Sequence, residues 1–109
     1  NITTESEKFC YVDNDQYDEF FHLTLGKGLT QKEPKLVYCG IFEENNLTRV
    51  IIFVGNEASK NKSAADIARA VSQILGGSGG GSATFAQGGG PDKSKKSEAI
   101  NKAKSMAED

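Results

Sequence analysis

Thr48 to Gly55 reads TRVIIFVG, and Val50-Ile51-Ile52-Phe53-Val54 at its centre has no polar interruption. A strand with one wet face alternates apolar and polar residues, so this β-branched and aromatic run predicts a central strand covered on both faces. Layers must therefore lie on each side of it. Just before it, Lys35 to Glu43 (KLVYCGIFE) has the same character, and Glu44-Asn45-Asn46 between the two is a polar turn. The two runs are expected to pair as an antiparallel hairpin.

Upstream, Lys8 to Asp13 (KFCYVD) reads as a short strand, and Asp13-Asn14-Asp15 can cap the start of a helix. Tyr17, Phe20, Phe21 and Thr24 then recur at helical spacing, with Asp15, Asp18 and Glu19 where the helix dipole favours acids and Gly26 and Gly28 as stops. A short helix is expected. Downstream, Ser63 opens a second helix, with Asp66 three residues on as a capping partner and Ala64, Ile67, Ala68, Val71, Ile74 and Leu75 as its apolar stripe before Gly76. Ala83 to Gln87 (ATFAQ) is expected to add a short edge strand. Pro91 and Asp92 precede a last helix with an apolar face of Ala99, Ile100, Ala103, Met106 and Ala107. The class is α/β (α+β): a small mixed sheet of about four strands packed by three helices, in a single domain over residues 1–109. The chain starts Asn1-Ile2-Thr3 and still looks helical at its end, which reads as a piece of a longer protein.

Composition narrows the function. No run approaches the roughly 20 apolar residues that cross a bilayer, and no signal-peptide stretch opens the chain. Cys10 and Cys39 lie inside strand-like segments and read as buried free thiols; with His22 they make no convincing metal set. The sequons at Asn1, Asn46 and Asn61 carry no weight outside a secreted chain. The net charge of −2 argues against indiscriminate nucleic-acid binding. Its distribution is uneven: residues 1–50 hold nine acids and five bases, whereas residues 60–104 hold eight bases against Asp66, Asp92 and Glu98.

The basic half flanks Gly76 to Gly90, GGSGGGSATFAQGGG, which holds eight of the twelve glycines. Three readings stand open from the residues alone. The segment is an ordered loop whose uncovered amides form a nest for phosphate, a structural device for close packing, or a flexible spacer. Phe85 and the helices at both ends speak against a spacer. No Lys-Ser or Lys-Thr follows the glycines as in a P-loop, and they follow a helix where a dinucleotide fold needs a strand.

The string Ile74-Leu75-Gly76-Gly77-Ser78-Gly79-Gly80-Gly81-Ser82, then Phe85-Ala86-Gln87-Gly88-Gly89-Gly90, resembles the glycine signature of the alanyl-tRNA synthetase C-terminal domain, close to GGxGGGxxxxAQxGG before a lysine-containing helix. The resemblance is specific in residues 63–107 and weak before residue 35. It implies a DHH-associated α/β module that grips the outer corner of alanine-specific tRNA and helps couple aminoacylation with editing in a cytoplasmic enzyme. The parent ligase would use ATP and Mg, with Zn in an editing domain, whereas this segment needs no cofactor or metal. The tRNA-binding residues it implies are Gly79, Gly80, Gly81, Gln87, Gly88 and Gly89, with Lys93, Lys95 and Lys96 supplying charge. No catalytic residue is expected. Ser82 and Ser78 stand where the family commonly has basic residues, which removes charge from the loop. The phosphoesterase relatives typically carry a His after the glycines, and Ser82 there argues against hydrolysis. The helical hairpin that commonly mediates dimerisation is absent, so a monomer is expected. A module turned to protein interaction is the rival that the acidic first half permits.

Overall fold

The computed structural model describes residues 2–109, so the Asn1 sequon lies outside the described residues. The strands are β1 (Thr3–Thr4), β2 (Phe9–Asp13), β3 (Val37–Glu44), β4 (Leu47–Val54), β5 (Ser78–Gly81) and β6 (Phe85–Gly90). They form one sheet in the order β1-β2-β3-β4-β6-β5. Only β2 and β3 are parallel, joined through α1 (Glu19–Lys32); every other neighbouring pair is antiparallel. The remaining helices are α2 (Ala64–Ile74) and α3 (Lys96–Glu108). The mixed sheet and three helices match the expected class, but six strands replace about four: β1 and β5 are added, and the strand expected at the edge over residues 83–87 is β6, which lies inside the sheet because β5, made from the glycines before it, pairs with its outer side.

β4 is central and covered on both sides, as its unbroken run requires. Val50, Ile52 and Val54 point into a core closed by Ile67, Ala68 and Val71 of α2 and Ala99 and Ala103 of α3. On the opposite face, Tyr38, Leu36 and Val12 meet Phe21, Leu25 and Leu29 of α1. The β3–β4 turn is tight, with Asn45 and Asn46 at φ 53° and 65°. Asparagine tolerates that left-handed region better than most residues, which suits the primed turns of two-residue hairpins. Cys10 and Cys39 are buried free thiols. Burial pushes their pKa values up to about 11 and about 12, so both stay protonated and unreactive.

The first helix differs from expectation in three respects. Its cap is Asp18, which accepts from the Phe21 amide at 3.0 Å, rather than the Asp13-Asn14-Asp15 group. Phe20 lies 74% exposed and Thr24 is also exposed, so the buried face instead contains His22, Gly26 and Thr30. The helix runs through Gly26 and Gly28 for 14 residues. Gly26 is there for proximity: a Cβ on it would lie 2.4 Å from Cδ2 of Phe53 and 2.7 Å from Cδ2 of Tyr38. His22 is fully buried, with Nδ1 2.7 Å from the Tyr38 hydroxyl and its ring stacked on Phe42. Burial pulls its pKa down to about 4 against the opposing charge of Asp18, so the imidazole is neutral and part of the core.

The two helix glycines should respond with opposite signs to alanine. Gly28 has open space around the added methyl, so Gly28→Ala is expected to stabilise by about 0.5–1 kcal/mol through helix propensity. Gly26→Ala forces buried rings to move and should destabilise by about 1–3 kcal/mol. Urea unfolding of the two variants checks both signs; equal effects would contradict this packing.

Candidate nucleic-acid interface

α2 ends because Gly76 takes φ +82° after Leu75, and the chain turns straight into β5. β5 and β6 then pair with Ser78 opposite Gly89, Gly79 opposite Gly88 and Gly80 opposite Gln87. Because side chains alternate along a strand, this register puts Gly79, Gly88 and Gly90 on the α2 side and Ser78, Gly80, Gln87 and Gly89 on the other. The α2 side is crowded. A Cβ on Gly88 would stand 2.2 Å from Ser72 Oγ, one on Gly79 2.7 Å from the same atom, and one on Gly90 2.3 Å from the Leu75 carbonyl oxygen. These glycines let a helix lie directly on the sheet backbone.

The opposite side is open. α1 packs over β3 and β4, and the β6–β5 hairpin extends beyond it. A groove of about 360 Å³ runs there over Gly77, Ser78, Gly88 and Gly89, walled by Leu47, Arg49, Gln87 and Pro91. With no side chain on the glycines, the backbone itself is the floor, and a phosphate or ribose can approach it closely.

Arg49, which sequence reasoning did not single out, organises this face. Its side chain is 22% exposed and donates to Glu44 Oε1 at 2.7 Å, to Glu19 Oε1 at 2.8 Å and to Gln87 Oε1 at 3.1 Å, with the guanidinium 5.7 Å from the Phe42 ring centroid. Two carboxylates neutralise it. A guanidinium has only donors, so the Gln87 amide must turn its oxygen towards Arg49 and its NH₂ group away. That NH₂ has no protein partner among the described residues and stands exposed beside the glycine floor.

The expected site residues divide accordingly. Gly80, Gln87 and Gly89 share the open face, whereas Gly79 and Gly88 are spacers for α2. Gly80 is not among the residues with a positive φ, and a Cβ there meets nothing nearer than Arg69 Nη1 at 3.9 Å. Gly81 and Gly89 have φ +159° and +153°, and a Cβ on either would approach a backbone oxygen within 2.4 Å. Lys93 and Lys95 form a short 3-10 turn before α3, and Lys96 begins the helix. Each has a carboxylate: Lys93 with Glu43 at 3.8 Å, Lys95 with Glu98 at 3.7 Å and Lys96 with Asp13 at 3.1 Å. Burial works against the charge on Lys96, but its hydrogen bond to Asp13 and the nearby acids outweigh this and hold its pKa above the ordinary lysine range. Lys96 thus ties α3 to the end of β2, while Lys93, at 74% exposure, remains the most accessible cation of the three.

A sequence model described as the DHHA1 domain matches residues 22–109. The chain belongs to the DHHA1 domain family. Within it, this DHHA1 chain is 50% identical over 99 residues to an alanine–tRNA ligase of Nitrosopumilus maritimus (strain SCM1), a match covering 91% of the chain and 11% of that relative. It is 49% identical over 88 residues to an alanine–tRNA ligase of Cenarchaeum symbiosum (strain A), covering 81% of the chain and 10% of the relative. The chain therefore spans about a tenth of the length of these relatives. Its fold matches the crystal structure of the C-Ala domain from Aquifex aeolicus alanyl-tRNA synthetase with a TM-score of 0.83 and 27% identity, covering 100% of this chain and 96% of that one. The resemblance carried by the glycine motif is thus borne out at the level of family and fold.

The two kinds of glycine can be separated by alanine substitution. Gly88→Ala should destabilise the DHHA1 fold by about 2 kcal/mol or more, because its methyl would overlap Ser72 and the Gly79 backbone. Gly80→Ala should leave the melting temperature close to that of the unmodified chain. Thermal melts of both variants check this, and a hairpin that tolerated both equally would be a spacer rather than a packed element.

Proposed function

We propose that this chain is the tRNA-binding module of an alanine–tRNA ligase, and that the open face of β6 and β5, beside Arg49 near the start of β4, is where it meets the RNA. The observation that carries the reading is Gln87: Arg49 fixes its amide so that an NH₂ donor points outward beside a side-chain-free floor. Phosphate and ribose oxygens are acceptors, and a backbone that must approach closely needs a floor without side chains. Such contacts position an RNA by shape and carry little sequence information, which suits recognition of the outer corner common to folded tRNAs. The choice of alanine-specific tRNA, the use of ATP and Mg, and any Zn belong in this reading to other parts of a longer cytoplasmic enzyme, where the module helps couple aminoacylation with editing.

Charge plays a secondary part. Lys93, Lys95 and Lys96 follow the end of β6 in the chain but stand beside Glu43, Glu98 and Asp13, so few counterions are released on binding and the affinity depends only moderately on salt. Lys93 is the strongest candidate among them for a phosphate contact. The module has no catalytic role of its own and acts as a monomer.

Gln87→Glu tests the reading, because it moves stability and binding apart. The new carboxylate keeps an acceptor towards Arg49, and this bond offsets the repulsion of a third anion beside Glu19 and Glu44, so the melting temperature should stay close to that of the unmodified chain. The outward donor becomes an anion facing phosphate, and tRNA affinity should fall by about 2 kcal/mol, roughly thirtyfold, and further than in Gln87→Ala. A Gln87→Glu variant that binds tRNA as tightly as the unmodified chain would overturn the proposal.

A further inference from the structure

Beyond Gln87 the same open face ends in a second depression. A cavity of about 470 Å³ lies between the C-terminal half of α1 and the start of β6, with Phe53 and Phe85 in its wall. These two residues are cross-strand partners, and their ring centroids are 4.9 Å apart at 43°. Phe53 is wedged beneath Gly26 of α1. Phe85 leans on it and is only half-buried. Phe85 precedes Gln87 by two residues on β6, so its side chain emerges on the same face about 7 Å further along.

The polar rim is unlike the surface around it. Lys27, Gln31, Asn56 and Thr84 line the cavity, and their side chains have no protein partner among the described residues. No carboxylate lines it. This contrasts with Arg49, Lys93, Lys95 and Lys96, each of which sits against an acid. An aromatic wall, neutral amides able both to donate and to accept, and one uncompensated cation suit a flat heteroaromatic ring carried on a phosphodiester chain. A carboxylate-rich peptide would find one cation, and an aliphatic ligand would leave both amides unpaired.

We propose that this cavity is a binding site for one unpaired nucleobase of the RNA lying across the glycine floor. The base stacks on Phe85, Gln31 and Asn56 hydrogen-bond its edge, and Lys27 meets the adjoining phosphate. The site rests on the proposed tRNA-binding role and adds to it a second point of attachment, at which a base rather than the backbone is held. Recognition of backbone at Gln87 and of an unpaired base at Phe85 together require a folded RNA with an exposed loop nucleotide beside a phosphate ridge.

The test uses the 109-residue chain and an alanine tRNA transcript carrying 5-iodouracil in place of uracil, crosslinked by ultraviolet light and mapped by mass spectrometry, alongside affinity measurements with the unmodified transcript. Crosslinks are expected at Phe85. Phe85→Leu keeps an apolar side chain against Phe53 but loses the π-face, so it should retain the melting temperature and bind about tenfold more weakly. Phe85→Tyr should bind like the unmodified chain, and Lys27→Gln should weaken binding less than Phe85→Leu. If Phe85→Leu binds as tightly as the unmodified chain while Gln87→Glu still weakens binding, the base site is wrong and the glycine-floor reading stands. If the unmodified chain shows no tRNA binding at all, the reading beneath both falls.

Discussion

The close seating of α2 on the β6–β5 hairpin is the constraint from which the bare, outward face of the sheet follows. Ser72 lies so near both strands that neither Gly79 nor Gly88 has room for a methyl group, and the Leu75 carbonyl excludes one at Gly90 in the same way. Helices usually stand off a sheet by the length of the intervening side chains. Here the hairpin can be thin, and since its outward positions include Gly80 and Gly89 it presents bare backbone to solvent on one side as it receives a helix on the other. Glycine in a strand weakens it through backbone entropy. The antiparallel pairing to β4 and the cover of α2 offset that cost and keep the hairpin in the sheet.

On this surface orientation matters more than charge. The chain has a net charge of −2, and Arg49 at the glycine floor, like Lys93 and Lys96 that follow it in the chain, stands next to acids. Arg49 illustrates the consequence: held by Glu19 and Glu44, it is poorly placed to neutralise a phosphate, but it dictates which end of the Gln87 amide faces outward. In the proposed function, a neutral donor fixed in place over a flat floor selects for shape and for acceptors, without the strong non-specific attraction of a basic patch.

The elements legible in the sequence were those with a local signal. The unbroken Val50 to Val54 run marked a doubly covered central strand, the polar Asn45-Asn46 turn marked the hairpin, and the Ser63 cap with its apolar stripe marked α2. Where tertiary contacts decide, local rules misled. Gly26 and Gly28 look like helix stops, yet a glycine costs a helix only about 1 kcal/mol, and at Gly26 the proximity of Phe53 and Tyr38 requires it. Within the glycine segment only Ala83 to Gln87 carries a strand signal; β5 and the last glycines of β6 carry none, because their pairing depends on neighbouring strands rather than on their own propensity. Arg49 stayed unread because its partners Glu19 and Gln87 are 30 and 38 residues away in the chain. The family motif pointed to Gln87 and the glycines without separating those that support α2 from those that face outward.

The most direct test of the account is an amide NMR titration of the ¹⁵N-labelled chain with alanine tRNA, since it reports on floor and flanks at once. With RNA on the glycine floor, the backbone amides of Ser78, Gly80 and Gly89 and the side-chain NH₂ of Gln87 should shift together with one affinity, while the amides of Gly79 and Gly88 move less. Shifts confined to the start of α3 around Lys93 to Lys96, with the glycine floor unmoved, would contradict it.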